Sequence, residues 1–313
     1  MESRSIPELL APAGSLEALK AAVNVGADAV YLSGKDFGAR QYAPNFDEDQ
    51  MVQALKYAHL RNVKVYVTVN TLLYDYELSD LADYLLWLYK AGADALILQD
   101  VGVASLCREL IPNMEMHAST QMTINSADGV KWASEFGFKR VVLARELFIS
   151  ELEEIIQQVG LKIELEIFAH GALCYSYSGQ CLLSSQIGGR SGNRGRCAQP
   201  CRKPYQLLRG DKDDYGRLTN TSPLPLEDDY LLSTRDLALY PELGKIKQLN
   251  INSLKIEGRM RSPEYVALVV STYRKALDKI RKDRWKPEET EISRLKLAFN
   301  RGFTSGHLLE ERK

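Results

Sequence analysis

Four of the five cysteines in this 313-residue chain crowd together as Cys174, Cys181, Cys197 and Cys201, with six, fifteen and three residues between successive members. A thiol set of this kind can serve as a structural scaffold, a zinc knot, a redox disulfide or an iron–sulfur cage. Five cysteines are too few for a disulfide scaffold in a chain this long. Zinc ribbons prefer two intervening residues within each pair, and thioredoxin-type redox centres require that gap; neither pair has it. An iron–sulfur cage accepts many spacings, because each thiolate need reach only one corner of the cluster. Gly171, Gly179, Gly188, Gly189, Gly192 and Gly195 supply tight turns for folding a loop around such a group. Spacing places iron–sulfur ahead, leaves zinc open and keeps unrelated free thiols as a third reading. Cys107, in "VASLCREL", occupies an apolar helical position and reads as core filling.

Charged and polar residues gather at the ends of short apolar runs. His117 closes "MEMH" and His170 closes "IELEIFAH", where Glu164, Glu166, Phe168 and His170 share one face by the two-residue period of a strand. Two carboxylates are therefore expected to line an interior below a histidine. Arg145 with Glu146 ends another run, Lys255 and Glu257 share a face of a third, and Arg259 follows; Asn70 and Arg40 end or follow two more. If these ends meet, they make a polar pocket for an anionic small molecule. Arg40, Asn70, Arg145, Lys255 and Arg259 would bind it, His170 or His117 would carry a proton, and Glu166 or Glu257 would orient the histidine or the attacking group. The competing reading is a set of ion pairs that simply plugs the space. His59 and His307 read as structural. There is no H-E-x-x-H, no G-x-S-x-G elbow and no Walker A loop, and no histidine–acid pair is spaced to activate Ser176, Ser178 or Ser184.

The net charge is -1, so an RNA partner would need a local patch. One exists: between Gln186 and Gly210 the chain carries Arg190, Arg194, Arg196, Arg202, Lys203 and Arg209 and no acid, with Tyr205 as a stacking face. A solvated basic loop is the plain alternative. The N-terminus lacks a basic flank and apolar core, and no run of 18 apolar residues occurs. These features point to a cytoplasmic protein without a membrane partner, in which thiols stay reduced.

A recurring phrase shows which elements must position these groups. "VGADAVYLSG", "AGADALILQD", "FGFKRVVLAR" and "LNINSLKIEG" each end a helix, turn, and begin a buried strand. Eight such strands are predicted, in "ELLAPA", "AVYLSG", "KVYVTVN", "ALILQD", "MEMHAST", "RVVLAR", "IELEIFAH" and "SLKIEG", with helix-period stretches between them. The expected fold is an α/β protein, a (β/α)₈ TIM-like barrel over residues 1–285; an open doubly wound sheet is the alternative. A long cysteine-containing basic insertion, about residues 171–238, follows the seventh strand at the C-terminal mouth, where barrel active sites sit. Residues 286–313 read as a linker and helix that could open a further domain.

"LAPAGSLEALKAAVNVGADAVYLSG", "FGARQYAPNF", "HASTQM", "RVVLARE", "HGALCYSYSGQCLLSS…NRGRCAQPCR" and "SLKIEGRMRSPEYVA" together resemble peptidase family U32, from about Pro7 to Phe303. The family name implies a collagenase-like protease. Relatives of that family are oxygen-independent hydroxylation factors, acting on C5 of a pyrimidine in tRNA or rRNA or on a ubiquinone precursor. The resemblance implies a [4Fe-4S] cluster on Cys174, Cys181 and Cys197, with prephenate as oxygen donor. Some relatives take a fourth ligand after an S-x-D-L segment, where this chain has Ala238, which leaves Cys201 as the nearby candidate. Ser176, Tyr177 and Ser178 are then expected to donate hydrogen bonds to cluster sulfurs or backbone, and Arg190, Arg194, Arg196, Arg202 and Lys203 to hold RNA. The rival readings are a U32-type peptidase, a non-catalytic iron–sulfur subunit working beside a paralogous subunit, and a hydroxylase of a small aromatic lipid precursor.

Overall fold

The structure, a computed structural model, describes residues 6–160 and 162–309. The eight apolar runs form β1 (Glu8–Pro12), β2 (Ala29–Leu32), β3 (Lys64–Val69), β4 (Ala95–Leu98), β5 (Glu115–Ala118), β6 (Arg140–Val142), β7 (Glu164–Ala172) and, after the insertion, β11 (Ser253–Ile256). They are parallel neighbours in the order β11-β1-β2-β3-β4-β5-β6-β7, and β11 also pairs with β7, so the sheet closes. The alternative of an open sheet is thereby excluded.

Between the strands run α1 (Leu16–Asn24), α2 (Glu48–His59), α3 (Leu78–Ala91), α4 (Val101–Leu110), α5 (Ala127–Phe136) and α6 (Ile149–Val159), and α9 (Pro263–Arg281) follows β11. Their starts are chemically marked. Ser15, Asp47, Asp100, Ser126 and Ser262 each accept a hydrogen bond from a first-turn amide, which satisfies donors the helix cannot. Gly92 and Gly137 end α3 and α5 in left-handed conformation. The recurring phrase has a mechanical role. Asp28 and Asp94 accept from the amides of Leu9 and Val65 at 2.8 and 2.7 Å, and Asn252 accepts from Leu165 at 2.9 Å. Each side chain thus latches the start of its own strand onto the preceding one.

Outside the barrel, apolar strand and helix faces share one large core; Leu81, Leu85 and Leu88 of α3 are fully buried in it, each contributing about 1.5–3 kcal/mol by burial. Inside, Leu10, Ala29, Tyr31, Tyr66, Ala95 and Ile97 make a separate small cluster.

The insertion contains α7 (Leu183–Gly188), an exposed hairpin of β8 (Leu208–Lys212) and β9 (Leu218–Pro223), and β10 (Asp236–Ala238), which runs antiparallel to the end of β7. A short helix, α8 (Leu243–Ile246), leads back to the barrel. The segment after residue 286 returns to the barrel: α10 (Glu289–Leu297) is tied to α9 through Thr272 and Glu291 at 3.1 Å, and β12 (Phe303–Thr304) pairs with β10. Among the described residues no helix is long and apolar enough to cross a membrane.

Candidate active site at the barrel mouth

The C-terminal ends of the strands open into a cavity of about 380 Å³, of a size that suits a small molecule. Cys174, Cys181, Cys197 and Cys201 all line it, together with Arg40, Asn70, Arg145, Lys255, Glu257 and Arg259. The wall carries seven cationic side chains, those of Arg40, Arg145, Arg202, Lys255, Arg259, Arg261 and Arg301, against the single carboxylate of Glu257. Such an imbalance in a partly enclosed space favours anionic occupants.

The cations are held from beneath. Glu166, with no exposure, binds Lys255 Nζ at 2.9 Å and Arg140 Nη1 at 3.1 Å. Burial alone would raise its carboxyl, but Lys255 and Arg140 outweigh that and hold it at about 2. Arg140 also binds Glu8 and Glu164, each at 2.6 Å, so an ionic layer lies between the barrel floor and the cavity. Burial lowers the Lys255 ammonium, opposed by Glu166, and pushes Arg259 down to about 10. Arg259 is fixed by donating to Thr68 Oγ1 at 3.0 Å and to the Ala39 carbonyl at 2.6 Å. Arg40 sits at φ +67, a left-handed conformation that costs energy for a non-glycine residue. Its guanidinium pairs with Glu257 at 3.3 Å, which raises its pKa.

The cysteine loop is strapped to the barrel at several points. Gln41 N donates to the Gly195 carbonyl at 3.1 Å and Leu72 N to the Asn193 carbonyl at 3.0 Å. Gly195 has φ +77, and a Cβ there would meet the Gly38 carbonyl oxygen at 2.6 Å, so only glycine allows this approach. Gly171, at φ +107, lets β7 pass equally close to the Glu257 carbonyl. All four thiols are uncrosslinked. Gln199 N donates to Cys197 Sγ at 3.3 Å. Burial raises the Cys201 thiol, opposed by Arg202 and reinforced by Cys174, Cys197 and Cys181. Cys174, Cys181 and Cys197 are therefore each within electrostatic reach of Cys201, although no three His, Cys, Asp or Glu side chains among the described residues form a group that could hold a metal ion.

Over residues 14–313 the chain matches the profile of Peptidase family U32. It belongs to that family. It is 42% identical over 272 residues to a Bacillus subtilis protein named tRNA hydroxylation protein P1, covering 87% of this chain and 63% of that relative. It is 42% identical over 277 residues to the Escherichia coli 23S rRNA 5-hydroxycytidine C2501 synthase, covering 88% of this chain and 40% of that one. The chain thus spans less than two thirds of either relative. The solved structure of a U32 peptidase superposes with a TM-score of 0.52 at 12% identity, covering 82% of this chain and 96% of that one, and agrees in fold.

Several placements in this U32 barrel differ from the sequence reading. Period two holds along β7 for Glu164, Glu166 and Phe168 and then breaks. Phe168 pairs with Lys255 but Ile256 pairs with His170, so Ala169 is an extra residue and His170 turns out of the barrel. Its ring packs against Tyr265, Tyr273 and Phe303 and does not line the cavity. Burial, with Arg261 nearby, lowers His170 to about 3. His117 points inward but below the cavity, edge-on to Tyr66 and bonded to Glu115 at 2.8 Å, and burial lowers its pKa. Glu166 likewise lies under the cavity. Ser178 and Tyr177 turn away from the thiols. The Ser178 hydroxyl donates to Glu146 at 2.9 Å, and Tyr177 Oη accepts from Asn125 at 3.1 Å, because the turn between Cys174 and Cys181 docks on the loops after β5 and β6. Ala238 is in β10, paired with His170 and away from the cavity, whereas Cys201 lines it.

The basic loop divides. Arg194 forms a bidentate pair with Glu77, and Arg202 bonds the Leu173 and Thr234 carbonyls and two hydroxyls, so both serve the loop's own architecture. Arg190 lies over Tyr42, Arg196 donates to Gln41, and Lys203 is exposed. Sequence reasoning missed Tyr31, Thr68, Ser119, Gln121, Arg261 and Arg301 in the lining. Thr68 was findable, two residues before Asn70 on the same strand face, and Arg261 two beyond Arg259. Arg301 had no local signal.

Proposed function

We propose that this chain carries out oxygen-independent hydroxylation of a pyrimidine base in tRNA or rRNA, giving 5-hydroxyuridine or 5-hydroxycytidine, with prephenate as oxygen donor. The observation that carries this reading is one cavity in which four uncrosslinked thiols meet seven cations, in a chain whose relatives are named for RNA hydroxylation. Cys174, Cys181, Cys197 and Cys201 would hold a [4Fe-4S] cluster. The donor type suits it, since four thiols line one cavity, such a cluster takes one thiolate per corner, and the cationic wall offsets its negative charge. Because no three of the described thiols stand together as a metal-holding group, their side chains would have to converge on the cluster as it binds. Such a cluster supplies one-electron chemistry.

The other residues bind and orient. Arg259 and Arg40 offer guanidinium forks for the donor's carboxylates, with Lys255 as a point charge between the Tyr31 and Phe168 rings at 4.5 and 5.7 Å. Glu257 orients Arg40 and is the carboxylate within the cavity able to take or return a proton. The test is anaerobic purification with iron and sulfide analysis, followed by nucleoside mass spectrometry of RNA incubated with the protein and prephenate. About four irons per chain and a new hydroxypyrimidine are expected; stoichiometric zinc, or unmodified RNA, would overturn the reading.

The family name favours a second reading, peptide hydrolysis. Ser178 is buried against Glu146 and Arg145, and neither His117 nor His170 lines the cavity, so neither of these two histidines is placed there to activate it. Peptide release from gelatin, abolished by one point substitution in the cavity, is the result that would establish it.

A further inference from the structure

We propose that Arg261 and Arg301 form a phosphodiester-binding rim on the cavity, with Phe299 beside them as a stacking face, and that RNA crosses the mouth on this side. The inference rests on the RNA reading above and extends it to residues and a direction of approach.

Three guanidiniums gather about one buried carboxylate. Asp236, 3% exposed, lies 3.2 Å from Arg301 Nη1 and 4.0 Å from Arg261 Nη2. Arg202 is close enough for Arg301 to oppose its charge and for Asp236 to support it. The Arg202 fork is occupied by carbonyls and hydroxyls. Among the described residues Arg301 donates only to Asp236, and Arg261 reaches that carboxylate only at ion-pair distance. One negative charge against three fixed positive ones leaves donors and charge directed at the cavity that Arg261 and Arg301 both line.

The ring of Phe299 sits under both guanidiniums, at 4.1 Å from Arg261 and 5.0 Å from Arg301, and is 56% exposed. Cation–π contact orients the two forks while leaving aromatic surface in water. An exposed ring beside paired guanidiniums is the combination that single-stranded nucleic acid uses, a base stacking while its phosphate is held.

Depth separates this rim from Lys255 and Arg259 of the donor subsite, though not from Arg40. Lys255 and Arg259 are 4% and 5% exposed, whereas the side chains of Arg261, Arg301 and Arg40 are 19%, 26% and 35% exposed. An anion on the rim stays at the water boundary, as a phosphate does when its base enters a cavity and the chain continues outside. The opposite side of the mouth repels a polyanion. There Asp36, Glu48, Glu77, Asp80 and Asp83 line a second cavity of about 670 Å³. The exposed, stacked pair Tyr74–Tyr76 flanks that acidic side, with Arg194 already neutralised by Glu77, so it is the poorer platform.

Fluorescence anisotropy of a short end-labelled single-stranded RNA, titrated with the chain over a KCl series, separates charge from stacking. Arg301→Ala should reduce the magnitude of the log K against log salt slope by about 0.7, one single-strand phosphate. Arg301→Lys should restore the slope. Phe299→Ala, a change at an exposed ring, should weaken binding roughly tenfold at every salt with the slope unchanged. If the wild type binds RNA and all three variants match it in slope and affinity, the rim assignment falls while the RNA reading stands. If the wild type fails to bind RNA even at about 50 mM KCl, both fall.

Discussion

Replacing Glu166 by Gln keeps the shape of the side chain and removes the charge that holds the ionic layer under the cavity. Arg140 retains Glu8 and Glu164 at 2.6 Å each, so its charge stays paired. Lys255 loses its only carboxylate partner within 4.0 Å among the described residues and keeps the Tyr31 ring face at 4.5 Å. Removing one member of a buried pair costs about 3–5 kcal/mol, most of it the desolvated charge left behind. The carboxyl gives a second route to the magnitude. Held at about 2 against an ordinary 4.5, it contributes about 3 kcal/mol at neutral pH. The two agree at the low end, and in a chain of 313 residues, at about 2.1 cal/mol/K of unfolding entropy per residue, a change of that size lowers the melting midpoint by roughly 4–6 °C. The sign with pH follows from a depressed carboxyl. The contribution is complete above about 4.5 and is lost as pH falls toward 2, so wild type and variant should converge across that window. Thermal unfolding by circular dichroism at fixed salt measures this. The double variant Glu166→Gln, Lys255→Met should recover at least half of the loss, since no cation is left unpaired. A single variant melting within about 2 °C of wild type at neutral pH, or a double variant as low as the sum of the singles, would refute the reasoning.

Three further outcomes are expected. Replacing any one of Cys174, Cys181, Cys197 or Cys201 by Ala should lower bound iron in anaerobically purified protein, whereas Cys107→Ala, at a site 1% exposed in the outer core, should leave iron unchanged. Arg259→Lys should weaken prephenate binding in calorimetry by about tenfold, through loss of the bidentate fork, with little change in melting midpoint. His170→Phe should keep RNA hydroxylation, because the imidazole sits among three aromatic rings and is neutral down to about pH 3; a hundredfold loss measured by nucleoside mass spectrometry would return that histidine to the chemistry.

All eight barrel strands were legible because each is a short apolar run buried on both faces and bounded by turn chemistry, and parallel strands leave that mark in any sequence. The Gly-Ala-Asp phrase was visible as a repeat, but its role as a latch needed the neighbouring strand's amide at 2.7–2.8 Å. His170 shows where pattern reasoning stops. Strict alternation puts it inside, and one extra residue in the β7–β11 register puts it outside. Nothing in "IELEIFAHG" announces that slip, because where β7 bulges depends on how it must register against β11. The basic loop shows the same limit in charge. Arginine composition cannot say which guanidiniums are already bonded, and Arg194 and Arg202 are.

From the chain alone came the strand–helix alternation and the position of the cysteine-containing insertion on the seventh unit, because propensity and periodicity act over a few residues. Closure of the sheet, the gathering of thiols and guanidiniums around one cavity and the arrival of Arg301 from 45 residues beyond the last barrel strand were decided in three dimensions. Those contacts join residues far apart in order, and long-range pairing is set by which surfaces pack and which charges must be satisfied once the chain has folded.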